Sequence, residues 1–261
     1  MGLNLPAALR LRRARRVHFW RGGKGRTIVL LQGGMADAGF HWSPVRDALA
    51  KHYDVIAPDL PGFGRSQAIS RANWKTLSHW LAGFLDQVQV DRAAIVGNSF
   101  GGTLARAFAC TRPSRVTHLV CVNGGQFIAL PAIVRFYLRT PMGALMWKRR
   151  NRDGINAQAI RNMFADPNFL SDDQVARCIE SSPALFAILR GCLAGRPPAH
   201  PPAMPTLILW GADDRHTPLD RAEALQRDIP GSRLVAIAGA GHLPQLEQPA
   251  AFTAGLRNFI G

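Results

Sequence analysis

Ile95-Val96-Gly97-Asn98-Ser99-Phe100-Gly101-Gly102 is entered by a short apolar run, residues 93–96, and left by a helix-prone run, residues 103–109. Strand, Gly-x-Ser-x-Gly and helix, in that order, is the sequence form of a nucleophile elbow, a sharp turn that holds a serine hydroxyl out. Sterics explain the glycines. The segments flanking the serine approach so closely that a side chain at either flank would clash. The helix that follows aims its free backbone N–H groups at the serine, which suits developing negative charge. A glycine-rich turn that merely caps a helix satisfies the same short pattern. A base, an acid and an oxyanion site in the right order decide between these readings.

Outward from the elbow the chain alternates. Residues 27–31 are uniformly β-branched or aliphatic, as in a strand buried on both faces. Residues 16–20 read as a strand leading into the turn Gly22-Gly23-Lys24-Gly25. Residues 42–52 read as a helix with Ser43 and Pro44 at its start. Strands follow at 53–57, 116–122, 206–210 and 233–237, and helices at 74–88, 219–227 and 249–259. The pattern predicts an α/β protein with a mostly parallel central sheet and helices on both faces. Residues 126–200 break the rhythm, with helix-like stretches at 157–164, 172–180 and 183–193 and no strand. They read as a helical cap inserted into a core formed by residues 1–125 and 201–261. Insertions of this length usually serve function. Apolar residues of the insertion, among them Phe127, Ile133, Phe136, Met142 and Met146, either line a pocket or pack the cap onto the core.

A chain of 261 residues with 47% hydrophobic residues can bury one sizeable core. No apolar run approaches the length of a membrane span, so the chain is not expected to be transmembrane. The first residues have no apolar export core, and Pro6 stands where an acylation signal after Met1-Gly2 needs Ser or Thr. A cytoplasmic location is expected. Cys110, Cys121, Cys178 and Cys192 show no metal-ligand spacing and read as small hydrophobes in a reducing compartment. The formal charge is +15, and no acidic residue precedes Asp37. Basic clusters stand at Arg10, Arg12, Arg13, Arg15 and Arg16, and at Lys148, Arg149, Arg150 and Arg152. Such patches attract an acidic carrier protein or an anionic surface. No motif for specific nucleic-acid binding accompanies them.

A serine hydroxyl needs a base, and the base needs a carboxylate to fix its tautomer. His242, in Gly239-Ala240-Gly241-His242, directly follows the last predicted strand, where a loop can bring it over Ser99. His18, His52, His79 and His118 fall within strands or helices. His41 borders the first loop but comes too early in chain order. The acid should follow a strand between Ser99 and His242. Gly211-Ala212-Asp213-Asp214 does so, whereas Asn123-Gly124-Gly125-Gln126, after the preceding strand, offers no carboxylate. Asp213 or Asp214 is therefore the acid.

These residues resemble the α/β-hydrolase superfamily in four ordered motifs. They are the elbow 97–102, the loop Asp59-Leu60-Pro61-Gly62-Phe63-Gly64-Arg65-Ser66, the acid turn 210–218, and the turn of Gly241-His242 with Glu247 and Pro249. The resemblance implies Ser99, Asp214 and His242 as a catalytic triad, since Asp214 matches the family's acid turn. It implies the backbone N–H groups of Gly34 and Phe100 as oxyanion donors. Gln32-Gly33 departs from the family's usual His-Gly, where an amide can also hydrogen-bond. Met35, Asn98, Phe127, Phe136 and Leu243 are expected to contact substrate. No metal or organic cofactor is implied.

The expected reaction is hydrolysis of a small or medium acyl ester through an acyl-serine. Asn98 resembles its counterpart in carbon–carbon bond hydrolases of dienoic ring-cleavage products, and Arg135 or Arg139 would hold a substrate carboxylate there. Leu243 departs from the tryptophan common in that group. Thioester chemistry and a catalytically silent binding protein are further alternatives. Dehalogenation and epoxide opening need a carboxylate nucleophile where this chain has Ser99.

Overall fold

The computed structural model describes residues 8–11, 15–198 and 200–261, with residues 8–11 and 15 described by their backbone alone. Readings made on Met1, Gly2, Pro6, Arg12 and Arg13 fall outside the described residues. Among the described residues, eight strands form one sheet: β1 (Ala8–Leu11), β2 (Arg15–Gly22), β3 (Thr27–Leu31), β4 (Asp54–Pro58), β5 (Ala93–Asn98), β6 (Val116–Val122), β7 (Thr206–Gly211) and β8 (Arg233–Ile237). Their spatial order is β1-β2-β4-β3-β5-β6-β7-β8. The pairs β1·β2 and β2·β4 are antiparallel, and every other pair is parallel. The fold is the α/β-hydrolase fold, with a mostly parallel sheet and helices on both faces.

The uniform apolarity of the central strands has a direct cause. Successive side chains of a strand point to opposite faces. Val29, Leu31, Ile95, Leu119, Cys121, Ile208 and Trp210 join one core layer, with Leu77, Leu81, Leu104 and Phe108. Their alternates Ile28, Leu30, Ala94, Val96, Val120, Val122, Leu207 and Leu209 join the other, with Trp42, Val45, Phe252 and Leu256. The helices supplying these residues are α1 (Ala38–Leu49), α2 (Trp74–Gln87), α3 (Phe100–Thr111) and α10 (Pro249–Ile260), and α8 (Leu219–Asp228) and the short α9 (Pro244–Glu247) complete the frame. Burying each large aliphatic or aromatic side chain contributes on the order of 1.5–3 kcal/mol, so both layers hold the sheet.

Between β6 and β7 lie α4 (Ala132–Arg139), α5 (Pro141–Arg150), α6 (Ala157–Arg161) and α7 (Asp172–Ala194). Several details differ from the sequence reading. β1 and the helices α4 and α5 carry no signal that was read. The helix placed at 42–52 starts earlier, at Ala38, with Pro44 inside it. Its N-terminus is fixed by Asp37, whose side chain accepts the Phe40 N–H at 2.9 Å, and by Asp59, which accepts the Ala38 N–H at 3.0 Å. That pair of carboxylates outweighs the proline's preference for a first turn. The stretches 172–180 and 183–193 form one helix running through Pro183. Proline brings no N–H for the carbonyl four residues back. The Ser182 hydroxyl donates to that carbonyl, Ile179 O, at 2.7 Å, so it does not go unpaired.

Candidate active site

Ser99 sits between β5 and α3 with φ 52° and ψ −116°, a conformation that a non-glycine residue seldom adopts. Its surroundings enforce it. A Cβ on Gly97 would lie 2.2 Å from the Gly101 carbonyl oxygen, and one on Gly101 would lie 2.3 Å from the Gln32 carbonyl oxygen. A Cβ on Gly124 would lie 2.2 Å from the Ser99 carbonyl oxygen. Three backbone segments thus close on the serine, and each requires glycine.

His242 follows β8 and is buried. Its Nδ1 lies 2.7 Å from Asp214 Oδ2. Asp214, in the turn after β7, is saturated with donors. Its Oδ1 accepts the His216 and Thr217 N–H groups at 2.8 and 2.9 Å. Its Oδ2 also accepts the Thr217 hydroxyl and the Asn123 amide, the latter at 2.6 Å. Burial pushes the Asp214 carboxyl up. The hydrogen bond and charge of His242, with the Thr217 donors, outweigh that and hold it at about 2. Asp213 is exposed and accepts the Gly239 N–H instead. Glu247 shapes the histidine loop by accepting the Gly241 N–H at 3.0 Å, the Leu243 N–H and the Ala165 N–H. Burial raises its pKa against those donors.

The elbow and the histidine loop are tied together. Asn98 Nδ2 donates to the His242 carbonyl at 3.0 Å and to the Val122 carbonyl at 3.2 Å. The amide of Asn98 is thus a strut of the site. Its Oδ1 has no partner among the described residues, and neither has Nε2 of the buried His41. Both atoms lie 3.0 Å from the point where a Cβ on Gly33 would stand, and Ser99 Cβ lies 3.3 Å from that point. Burial pushes the His41 imidazole down to about 4 against the pull of Asp37. The Gly33-Gly34 loop therefore runs beside the serine. Gln32 fixes it, donating to the Ala36 carbonyl and accepting the Leu60 N–H, each at 3.3 Å. Phe100 opens α3, whose first-turn N–H groups have no intrahelical partner.

The residues expected to meet substrate disperse. Met35 and Leu243 are buried in a third cluster with Phe40, Ile160 and Met163. Phe127 packs edge-on against Trp74, at 5.5 Å between ring centroids, and Trp74 stacks on Phe100 at 5.9 Å. Phe136 is 65% exposed on α4. A groove of about 1200 Å³ is bounded by Trp74, Gly62, Ala184, Trp147 and Ile188, with Arg71, Lys75, Arg139, Lys148, Arg152, Arg190 and Arg196 along it and no carboxylate. Arg139 and Arg190 spend donors on the carbonyls of Ala194 and Leu138. Leu185, beside the groove wall, overlies Gly34, where an added Cβ would lie 2.5 Å from its side chain. Asn123 was missed in the sequence. Its signal was an asparagine before two glycines at a strand's end, where φ of 43° aims its amide at Asp214.

Fold and site together define a hydrolase with a strained serine and a carboxylate-paired histidine. The chain belongs to the alpha/beta hydrolase family, whose profile its residues 28–255 match. It is 30% identical to the 2-hydroxy-6-oxo-2,4-heptadienoate hydrolase of Pseudomonas putida, an alignment covering 91% of this chain and 90% of that one. It is 27% identical to the uncharacterized hydrolase YugF of Bacillus subtilis, over 93% and 92% of the two chains. Among solved structures it is similar to a thermophilic esterase from Thermogutta terrifontis, with 26% identity, a TM-score of 0.75 and 97% of each chain covered.

Proposed function

We propose that this hydrolase cleaves carboxylic esters through an acyl-serine formed on Ser99. The pairing of His242 with a donor-saturated Asp214, on a loop tied to the elbow by Asn98, carries the reading. His242 takes the Ser99 proton as the hydroxyl attacks the acyl carbonyl. The backbone N–H groups of Gly34 and Phe100 receive the oxyanion. Asp214 steadies the imidazolium, which then protonates the leaving alcohol, and water attacking the acyl-serine releases the acid. The mixed apolar and cationic groove suits an acyl chain bearing negative charge. Residues 126–200 act as the cap over this site. The similarity to the Thermogutta esterase supports the ester reading.

A second reading, carbon–carbon bond hydrolysis of a dienoic ring-cleavage product, is favoured by the Pseudomonas relative. One panel separates the two: p-nitrophenyl esters of increasing chain length beside a 2-hydroxy-6-oxo-dienoate, followed by loss of its absorbance. Ester turnover that vanishes in Ser99→Ala, with the dienoate untouched, is expected. Dienoate turnover at the higher kcat/KM selects the second reading, and undiminished ester turnover in Ser99→Ala rejects the acyl-serine.

A further inference from the structure

Eight of the nine exposed large hydrophobic side chains of the described residues fall between Ile128 and Met146. They are not scattered. Ile133, Phe136 and Tyr137 on α4, and Met142, Leu145 and Met146 on α5, share the spacing i, i+3, i+4, which places each trio on one helix face. Ile133 is 73% exposed and Met142 59%. The opposite side of the pair is spoken for. Leu138 is buried, Leu138, Ala144 and Trp147 border the groove, and Gly143 packs so close to α4 that a Cβ there would lie 2.0 Å from the Tyr137 carbonyl oxygen. The exposed stripe continues into cations, since Arg149 and Arg150 lie seven and four residues beyond Met142 and Met146 and are exposed. No Asp or Glu occurs anywhere between Asp91 and Asp153.

A large exposed apolar patch marks an interaction surface. Large apolar side chains on one helix face, bordered by arginine and lacking any carboxylate, match a surface that is apolar below and anionic above. We propose that the outer face of α4 and α5 docks on an anionic lipid surface. The six apolar side chains enter the headgroup–acyl boundary, and Arg149 and Arg150 meet lipid phosphates, with their stems lying along the apolar stripe. Charge complementarity selects this occupant over a second copy of the chain, whose identical cationic rim would repel this one. An acidic protein as the occupant is one of the outcomes of the test.

The test is co-sedimentation of the full chain with vesicles of phosphatidylcholine alone or mixed with phosphatidylglycerol. Binding only to the mixed vesicles, weakening as salt rises, is expected. Arg149→Gln with Arg150→Gln should lower partitioning roughly 30-fold, at the usual contribution of a basic residue near an anionic surface. Ile133→Gln with Met142→Gln and Met146→Gln should lower it at least about tenfold. Circular dichroism melting of each variant checks that the fold persists. The proposal fails if wild type ignores the mixed vesicles, or if the apolar variant binds them as wild type does. It also fails if sedimentation velocity shows a wild-type dimer that the apolar variant abolishes, or if an acidic carrier protein is bound while vesicles are not.

Discussion

Replacing Asn123 by glycine removes one amide and leaves its backbone conformation accessible, because glycine tolerates the φ of 43°. Three hydrogen bonds go. The amide donates to Asp214 Oδ2 at 2.6 Å and, at a longer 3.4 Å, to the Gly241 carbonyl, and its oxygen accepts the Gly211 N–H at 3.0 Å. A hydrogen bond to a charged group contributes about 1.5–3 kcal/mol, and a buried N–H left unpaired costs about 1–3 kcal/mol. The expected loss is about 3–5 kcal/mol, read in urea unfolding as a fall in midpoint of roughly 1 M. Asn123→Ala adds left-handed strain of about 1 kcal/mol, so alanine should be less stable than glycine, inverting their usual order. Thr217 and two backbone N–H groups still hold Asp214, so ester kcat/KM should fall on the order of 10- to 100-fold rather than vanish. An unchanged midpoint and turnover in both variants, or an alanine variant more stable than the glycine one, would refute the assignment of Asn123 as the support of Asp214.

Other expectations follow from the same contacts. Gly97→Ala forces a Cβ to within 2.2 Å of backbone oxygen, and the melting temperature should drop by about 5 °C or more; an unchanged melting curve refutes the close approach. His41 is buried neutral with its pKa lowered from 6.5 to about 4. The unfolded chain binds the proton first as pH falls, so stability should decline between pH 6.5 and 4 by about 3 kcal/mol. Urea titrations of His41→Phe should show a flatter acid limb, and an equal slope in both proteins removes His41 as its source. Asp214→Asn keeps the shape but fixes the wrong imidazole tautomer, and should lower ester kcat on the order of 10³- to 10⁴-fold; retention of more than a tenth of the activity points to another acid.

The elbow was legible because its constraints are local: strand, two glycines, serine and helix lie within one short segment. Asp214 and His242 were legible as candidates because each follows a strand in a fixed order; the residues alone left Asp213 open beside Asp214, and the turn after β7 leaves Asp213 in solvent while Asp214 turns inward to His242. Asn123 was opaque because its role depends on β6 and β7 being neighbours, which no short window contains. Of the inserted helices, α4 and α5 were opaque for a different reason. The trios of α4 and α5 are apolar on the side facing solvent, so residues expected to line a pocket or pack the cap onto the core, Phe136 among them, stand exposed. Pro183 divided α7 in the sequence, while the Ser182 hydroxyl mends the helix in space.

Labelling with a serine-directed fluorophosphonate, read by intact mass and peptide mapping, tests the central claim most directly. Wild-type protein should gain one adduct, on Ser99, and the rate should collapse in His242→Ala while circular dichroism is unchanged. A native protein that takes no adduct, or one that labels Ser99 equally fast without His242, would contradict the account.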